Sequence, residues 1–211
     1  MKLKVFEFNM LPTNTYVVWD DAGEAVLIDP ACYGQAVQQL LARFLTAEGL
    51  TVRHILCTHF HFDHVFGIPF AEGMCGVRCE AHEGDSWWAG HNADEVRAFG
   101  IPYPGTPPTI GQPLADGQLI TCGTLRLRCI HTPGHSRGSV CFYCEDEGVL
   151  FAGDTLFAYG GMGRTDLHGG DYGELLHSIR TRLFTLPEAT VVYPGHGPST
   201  TIRTEKQFLN L

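Results

Sequence analysis

The sequence predicts an α/β domain in which two β-sheets pack face to face with helices on the outside. Three observations carry that expectation. Short β-branched and aromatic runs alternate with turn signals in both halves of the chain. Each half also contains segments of helical period. No composition break divides the 211 residues, so one domain spanning 1–211 is expected. A chain this long buries roughly 70% of its unfolded surface and needs no disulfide staples.

The first strands are expected at Val5–Phe8, Thr15–Trp19 and Ala25–Ile28, the last two separated by the turn Asp20-Asp21-Ala22-Gly23. Gln35–Leu45 places Val37, Leu40, Leu41 and Phe44 at helical spacing. Val52–Cys57 reads as a buried strand, and a helix over Gly84–Phe99 carries Trp87 and Trp88, which are expected in the core. Proline-rich Ile101–Pro113 reads as a loop. Further strands are expected at Gln118–Thr121, Thr124–Ile130, Ser139–Tyr143, Val149–Phe151 and Thr190–Tyr193, with an amphipathic helix over Tyr172–Leu186.

Composition narrows the function. With 44% hydrophobic and 18% charged residues the chain is an ordinary globular one, neither disordered nor a coiled coil. A net charge of −9 argues against nucleic acid and anionic membranes as partners. No uninterrupted apolar window is long enough to span a bilayer. Met1–Phe8 lacks the apolar stretch of a secretory signal, so a cytoplasmic location is expected. The eight cysteines then read as reduced, mostly buried thiols. Cys141 and Cys144 spell C-x-x-C, but in a strand those positions face opposite sides and cannot readily share a centre. The unusual count is 11 histidines.

Their distribution explains the count. His59-Phe60-His61-Phe62-Asp63-His64 follows directly on the strand at Val52–Cys57. If the strand continues, His59, His61 and Asp63 point one way and the phenylalanines the other, with His64 opening a helix. Three imidazoles and a carboxylate within six residues match nitrogen and oxygen ligation of a borderline divalent cation. Three more strand ends carry a polar residue on a glycine turn: Pro133-Gly134-His135, Gly153-Asp154-Thr155 and Pro194-Gly195-His196. His82, His91, His168 and His177 have no such partner motif, and His54 reads as a core or supporting histidine.

This order of motifs, together with Gly153-Asp154-Thr155-Leu156-Phe157 and Gly163-Arg164-Thr165-Asp166, resembles the metallo-β-lactamase superfamily, and within it the short bacterial relatives of glyoxalase II. The likeness runs from Asn14-Thr15-Tyr16 and Ile28-Asp29-Pro30 to Gly197. It implies a four-layer αββα sandwich with a dinuclear metal site at one edge of the sheets. His59, His61 and His135 would hold the first metal, and Asp63, His64 and His196 the second. Asp154 would bridge them. Zinc is the expected metal, with iron and manganese also suited.

The implied chemistry is hydrolysis of a small-molecule thioester such as S-lactoylglutathione by a hydroxide shared between the metals. Asp63 and Asp154 are the expected catalytic carboxylates, Asp63 also orienting the hydroxide. Arg164 either meets an anionic substrate or braces its loop against Asp166 or Asp171. A persulfide dioxygenase is the rival enzyme, with one iron on His59, His135 and Asp154; a non-catalytic metal-binding module is a more distant alternative. True β-lactamases usually replace the Asp154 position and are exported, which points away from them. The helical domain with which glyoxalase II contacts glutathione has no counterpart in the 14 residues after Gly197.

Overall fold

A computed structural model describes residues 1–103 and 107–210. The first sheet runs β1 (Lys2–Phe8), β2 (Thr13–Trp19), β3 (Glu24–Ile28), β4 (Thr51–Leu56), β5 (Cys79–His82) and β6 (Gln112–Leu114), in that spatial order. It is antiparallel from β1 to β3 and parallel from β3 to β6. The second sheet has the order β12-β11-β10-β9-β8-β7. Its strands are β7 (Leu119–Cys122), β8 (Leu125–His131), β9 (Val140–Cys144), β10 (Val149–Gly153), β11 (Val191–Pro194) and β12 (Thr200–Thr201). Only its β10–β11 pair is parallel.

Strand alternation builds the layers. In β2, Tyr16 and Val18 face the second sheet, where they meet Leu127, Phe142 and Phe151. Val17 and Trp19 face outward onto Leu41 and Leu45 of α1 (Gln35–Ala47) and the following helices. The second sheet repeats this: Phe142 and Cys144 point between the sheets, whereas Cys141 and Tyr143 point at Leu175 and Ile179. Those residues belong to α5 (Tyr172–Ser178) and the π-helical turn Ile179–Leu183 that extends it. Both sheets are therefore covered on both faces, and their central strands read as continuous apolar runs. The molecule has the expected αββα architecture. Cys141 and Cys144 lie on opposite faces of β9, and all eight cysteines are free thiols.

Several expectations need correction. β4 ends at Leu56, and residues 57–61 follow in non-strand conformation, so the ligand-like segment is a turn and not a strand continuation. The helix expected to open at His64 begins two residues earlier, as α2 (Phe62–Val65), whereas α3 (Ile68–Cys75), α6 (Ile202–Leu209), β5 and β12 carry no signal in the sequence. Each is short, with too few residues to display a period. The expected loop at Ile101–Pro113 contains the start of β6; Pro113 is tolerated because β6 is the edge strand. Residues 104–106 of that loop lie outside the described residues. In α4 (Ser86–Ala98) only Trp88 is core, while Trp87 remains 40% exposed.

Candidate metal centre

The turns after β4, β8, β10 and β11 meet at one edge of the sandwich. Backbone bonds set their spacing: Gly195 N donates to Gly153 O at 2.7 Å, Asn14 N to Gly195 O at 2.7 Å, and Val140 N to Thr58 O at 2.8 Å. Glycine is required where the chain passes closest. A Cβ on Gly195 would collide with Asp154 Oδ1 and with the His64 ring. One on Gly163 would collide with the Asp154 carbonyl and the His135 ring.

The side chains form two triads. His61 Nδ1 stands 2.8 Å from His135 Nε2, which is 3.2 Å from His59 Nε2. Asp63 Oδ2 is 3.5 Å from His64 Nε2 and 3.3 Å from His196 Nε2, and those two nitrogens are 3.3 Å apart. Asp154 touches both groups: Oδ1 lies 3.3 Å from His64 Nε2, and Oδ2 lies 3.5 Å from His196 Nε2 and 3.6 Å from His135 Nε2. All seven residues expected from the sequence are brought together, and five are buried outright.

The outer nitrogens say which atoms face inward. His59 Nδ1 donates to Thr58 Oγ1 (3.1 Å), His64 Nδ1 to Asp29 Oδ2 (3.0 Å), His135 Nδ1 to Arg164 O (2.6 Å) and His196 Nδ1 to Pro12 O (3.1 Å). With the Nδ1 proton held outside, Nε2 is the atom each ring turns to the centre: a lone pair on His59, and on His196 a proton that a cation must displace. Asp154 Oδ1 and His61 Nε2 are buried with no hydrogen-bond partner. Clustered lone pairs and an orphaned carboxylate oxygen are what a divalent cation satisfies, so the donor set fits one.

Electrostatics divide the triads. Burial drives His59 and His61 well below the ordinary imidazole value, helped by neighbouring histidines. His196 is buried too, yet its bonds to Asp154 and Asp63 push it up to about 10. Burial opposes the charge of Asp154, but His64 and His196 hold it well below the carboxylate range. A cation at this centre therefore competes with protons on the carboxylate side and with nothing on the three-histidine side.

Supporting residues went unread as site residues in the sequence. Asp29, with φ +48°, accepts from Thr58 N (2.7 Å) and Thr58 Oγ1 (2.6 Å) as well as from His64. Thr13 Oγ1 donates to Asp63 Oδ2 at 2.8 Å. Buried Asp85 accepts from Phe60 N (2.9 Å), Ser136 Oγ (2.9 Å) and Gly138 N (2.7 Å), joining the turn after β4 to the turn after β8. An Asp directly after the strand Ala25–Ile28 was a legible signal for Asp29; nothing local marks Asp85. Arg164 is braced by Asp166, with Nε and Nη2 each 2.7 Å from a carboxylate oxygen. Asp171 is instead the cap of α5. Arg164 also lines the cavity of about 220 Å³ over the cluster, beside Glu95, whose carboxyl burial pushes up to about 7.

Comparison with known proteins gives this centre its family. The metallo-beta-lactamase superfamily model matches residues 9–196, and the chain belongs to that superfamily. It is 32% identical to the hydroxyacylglutathione hydrolase GloC of Haemophilus influenzae, over 100% of this chain and 99% of that protein. Among solved structures it resembles BLEG-1, a B3 metallo-beta-lactamase, with a TM-score of 0.90 and 37% identity over the whole of both chains. It also resembles TTHA1623 in a di-iron-bound form, with a TM-score of 0.85 and 36% identity over 97% of this chain and 98% of that one. No described helix is long and apolar enough to cross a membrane.

Proposed function

We propose that the chain is a metal-dependent thioesterase, with S-lactoylglutathione its leading substrate. The observation that supports this is the pair of triads joined by Asp154, their inner nitrogens and carboxylate oxygens converging on one centre. In this reading His59, His61 and His135 hold one cation, Asp63, His64 and His196 a second, and Asp154 both. Two divalent ions, zinc before iron or manganese, supply an acidified water and a polarised carbonyl when bound there. In the net reaction a water oxygen bonds to the carbonyl carbon and the C–S bond breaks with its electron pair going to sulfur. The products are a hydroxy acid and a thiol. With a thiol pKa near 8.5 the leaving group needs little acid assistance. Asp63, fixed by Thr13 Oγ1 at 2.8 Å, orients the attacking water, and Arg164 presents positive charge to the polar thiol.

Metal quantification on the purified protein, followed by S-lactoylglutathione hydrolysis, tests this. Two metals per chain with release of glutathione is the expected result. One iron per chain with oxygen uptake on a persulfide would replace it with the dioxygenase reading on His59, His135 and Asp154. Similarity to BLEG-1 favours a second activity, opening of a β-lactam amide. A chromogenic cephalosporin assayed on the same preparation should turn over more slowly than the thioester, because an amine leaves less readily than a thiol.

A further inference from the structure

One face of α4 is left uncovered by the described residues. Trp87, Trp88, Glu95, Ala98 and Phe99 recur at helical spacing along it and, with Leu167 opposite, enclose a groove of about 300 Å³. Trp87 is 40% and Phe99 49% exposed, an aromatic stripe of the kind that marks a binding surface. The groove walls are held in place. The Trp87 indole stacks on His91 and on His168 with 3.8 Å between centroids in each case, which ties the loop after Arg164 to the helix.

This groove adjoins the metal cavity, and Glu95, Phe99 and Leu167 line both. Trp88, on the groove side, meets the His61 ring edge-on at 4.5 Å. The groove of about 300 Å³ is at the lower end of small-molecule sites, roughly 300–1,000 Å³, and the metal cavity beside it adds about 220 Å³. Charge selects the occupant. Asp94 and Glu95 stand on the rim, and the nearby guanidiniums are paired, Arg97 with Asp94 at 2.8 Å and Arg164 with Asp166 at 2.7 Å. Among the described residues no lysine or arginine lines this groove, so no free cation is there to receive a carboxylate. The acyl side of a thioester is the part that can be neutral and apolar.

We propose that the α4 groove is an acyl subsite that takes a neutral alkyl or aryl arm while the reacting carbonyl lies among the His–Asp cluster. The proposal rests on the thioesterase reading and names the acyl class of its substrate. The test uses metal-loaded protein and thioesters of one neutral thiol, N-acetylcysteamine, with acetyl, butanoyl, hexanoyl and succinyl groups. We expect kcat/KM to rise about three- to fourfold per added methylene, and the succinyl ester to fall at least tenfold below the butanoyl one. Ala98→Glu, on the exposed face of α4, should flatten the chain-length series. Ala98→Leu should retain the series. Independently, octanamide should change the tryptophan fluorescence of metal-free protein saturably, and at least fivefold more weakly in Ala98→Glu. Turnover that ignores acyl length, with no saturable octanamide signal, overturns the subsite and leaves the thioesterase standing. Octanamide binding that Ala98→Glu weakens, with no thioester hydrolysed, overturns the thioesterase and leaves an apolar site on α4.

Discussion

Asp154 carries the most at the level of single residues, because its two oxygens reach His64, His135 and His196. Asp154→Ala should reduce thioester hydrolysis to background and deplete bound metal; normal turnover in that variant would refute the ligand assignment. Asp29 acts on His64 directly and on His59 through Thr58 Oγ1, donating no group to the cluster itself. Loss of such a supporting carboxylate typically weakens metal binding about 10- to 100-fold. Asp29→Ala should therefore release the cation on the His64 side first in a chelator titration, with a smaller loss of affinity at the three-histidine triad. Gly195→Ala should fail in a different way. The added methyl group presses on Asp154, the His64 ring and the Gly153 backbone, so both metals should be lost together.

Turns, more than strands, are the functional elements, and Asp85 joins two of them. Ser136→Ala removes one of its three donors and leaves a buried carboxylate short of a partner. The cost should be about 1–3 kcal/mol, read from the denaturant midpoint. A second inter-element contact sets a pH dependence away from the metal centre. His54 on β4 donates from Nδ1 to Glu80 Oε1 on β5 (2.6 Å) and from Nε2 to the Thr121 carbonyl of β7 (3.1 Å). Both nitrogens act as donors, so the ring is an imidazolium, and the Glu80 bond raises its pKa above 6.5 against the effect of burial. A pKa raised by folding contributes stability that is complete below 6.5 and lost as pH climbs through the folded value. Unfolding free energy should fall over that window in the wild-type protein, and His54→Gln should flatten the profile.

At the scale of the molecule, the αββα sandwich brings four distant turns to one edge and holds seven polar side chains there, five of them buried. Cations that bind only this folded arrangement stabilise it by mass action, by about 2.7 kcal/mol at a hundredfold excess over Kd. Chelation should lower the thermal midpoint, and added zinc should restore it in proportion to occupancy. An unchanged midpoint would mean that the triads do not bind metal. The net charge of −9 has the same sign as this requirement, since part of it sits in the carboxylates that face the cation.

The sequence alone pointed to the layers and, through its family resemblance, to the seven candidate donors. Strand alternation in segments such as Thr15–Trp19 specifies which residues face which layer, and a histidine or aspartate on a glycine turn keeps its identity wherever the turn is placed. The distances within the triads came only with the fold, as did the roles of Asp29 and Asp85 and the open face of α4. These depend on residues 29 and 64, or 85 and 136, meeting across layers. Periodicity is a property of neighbours along the chain. Contact between remote turns is decided by how the sheets pack, and local sequence carries no term for it.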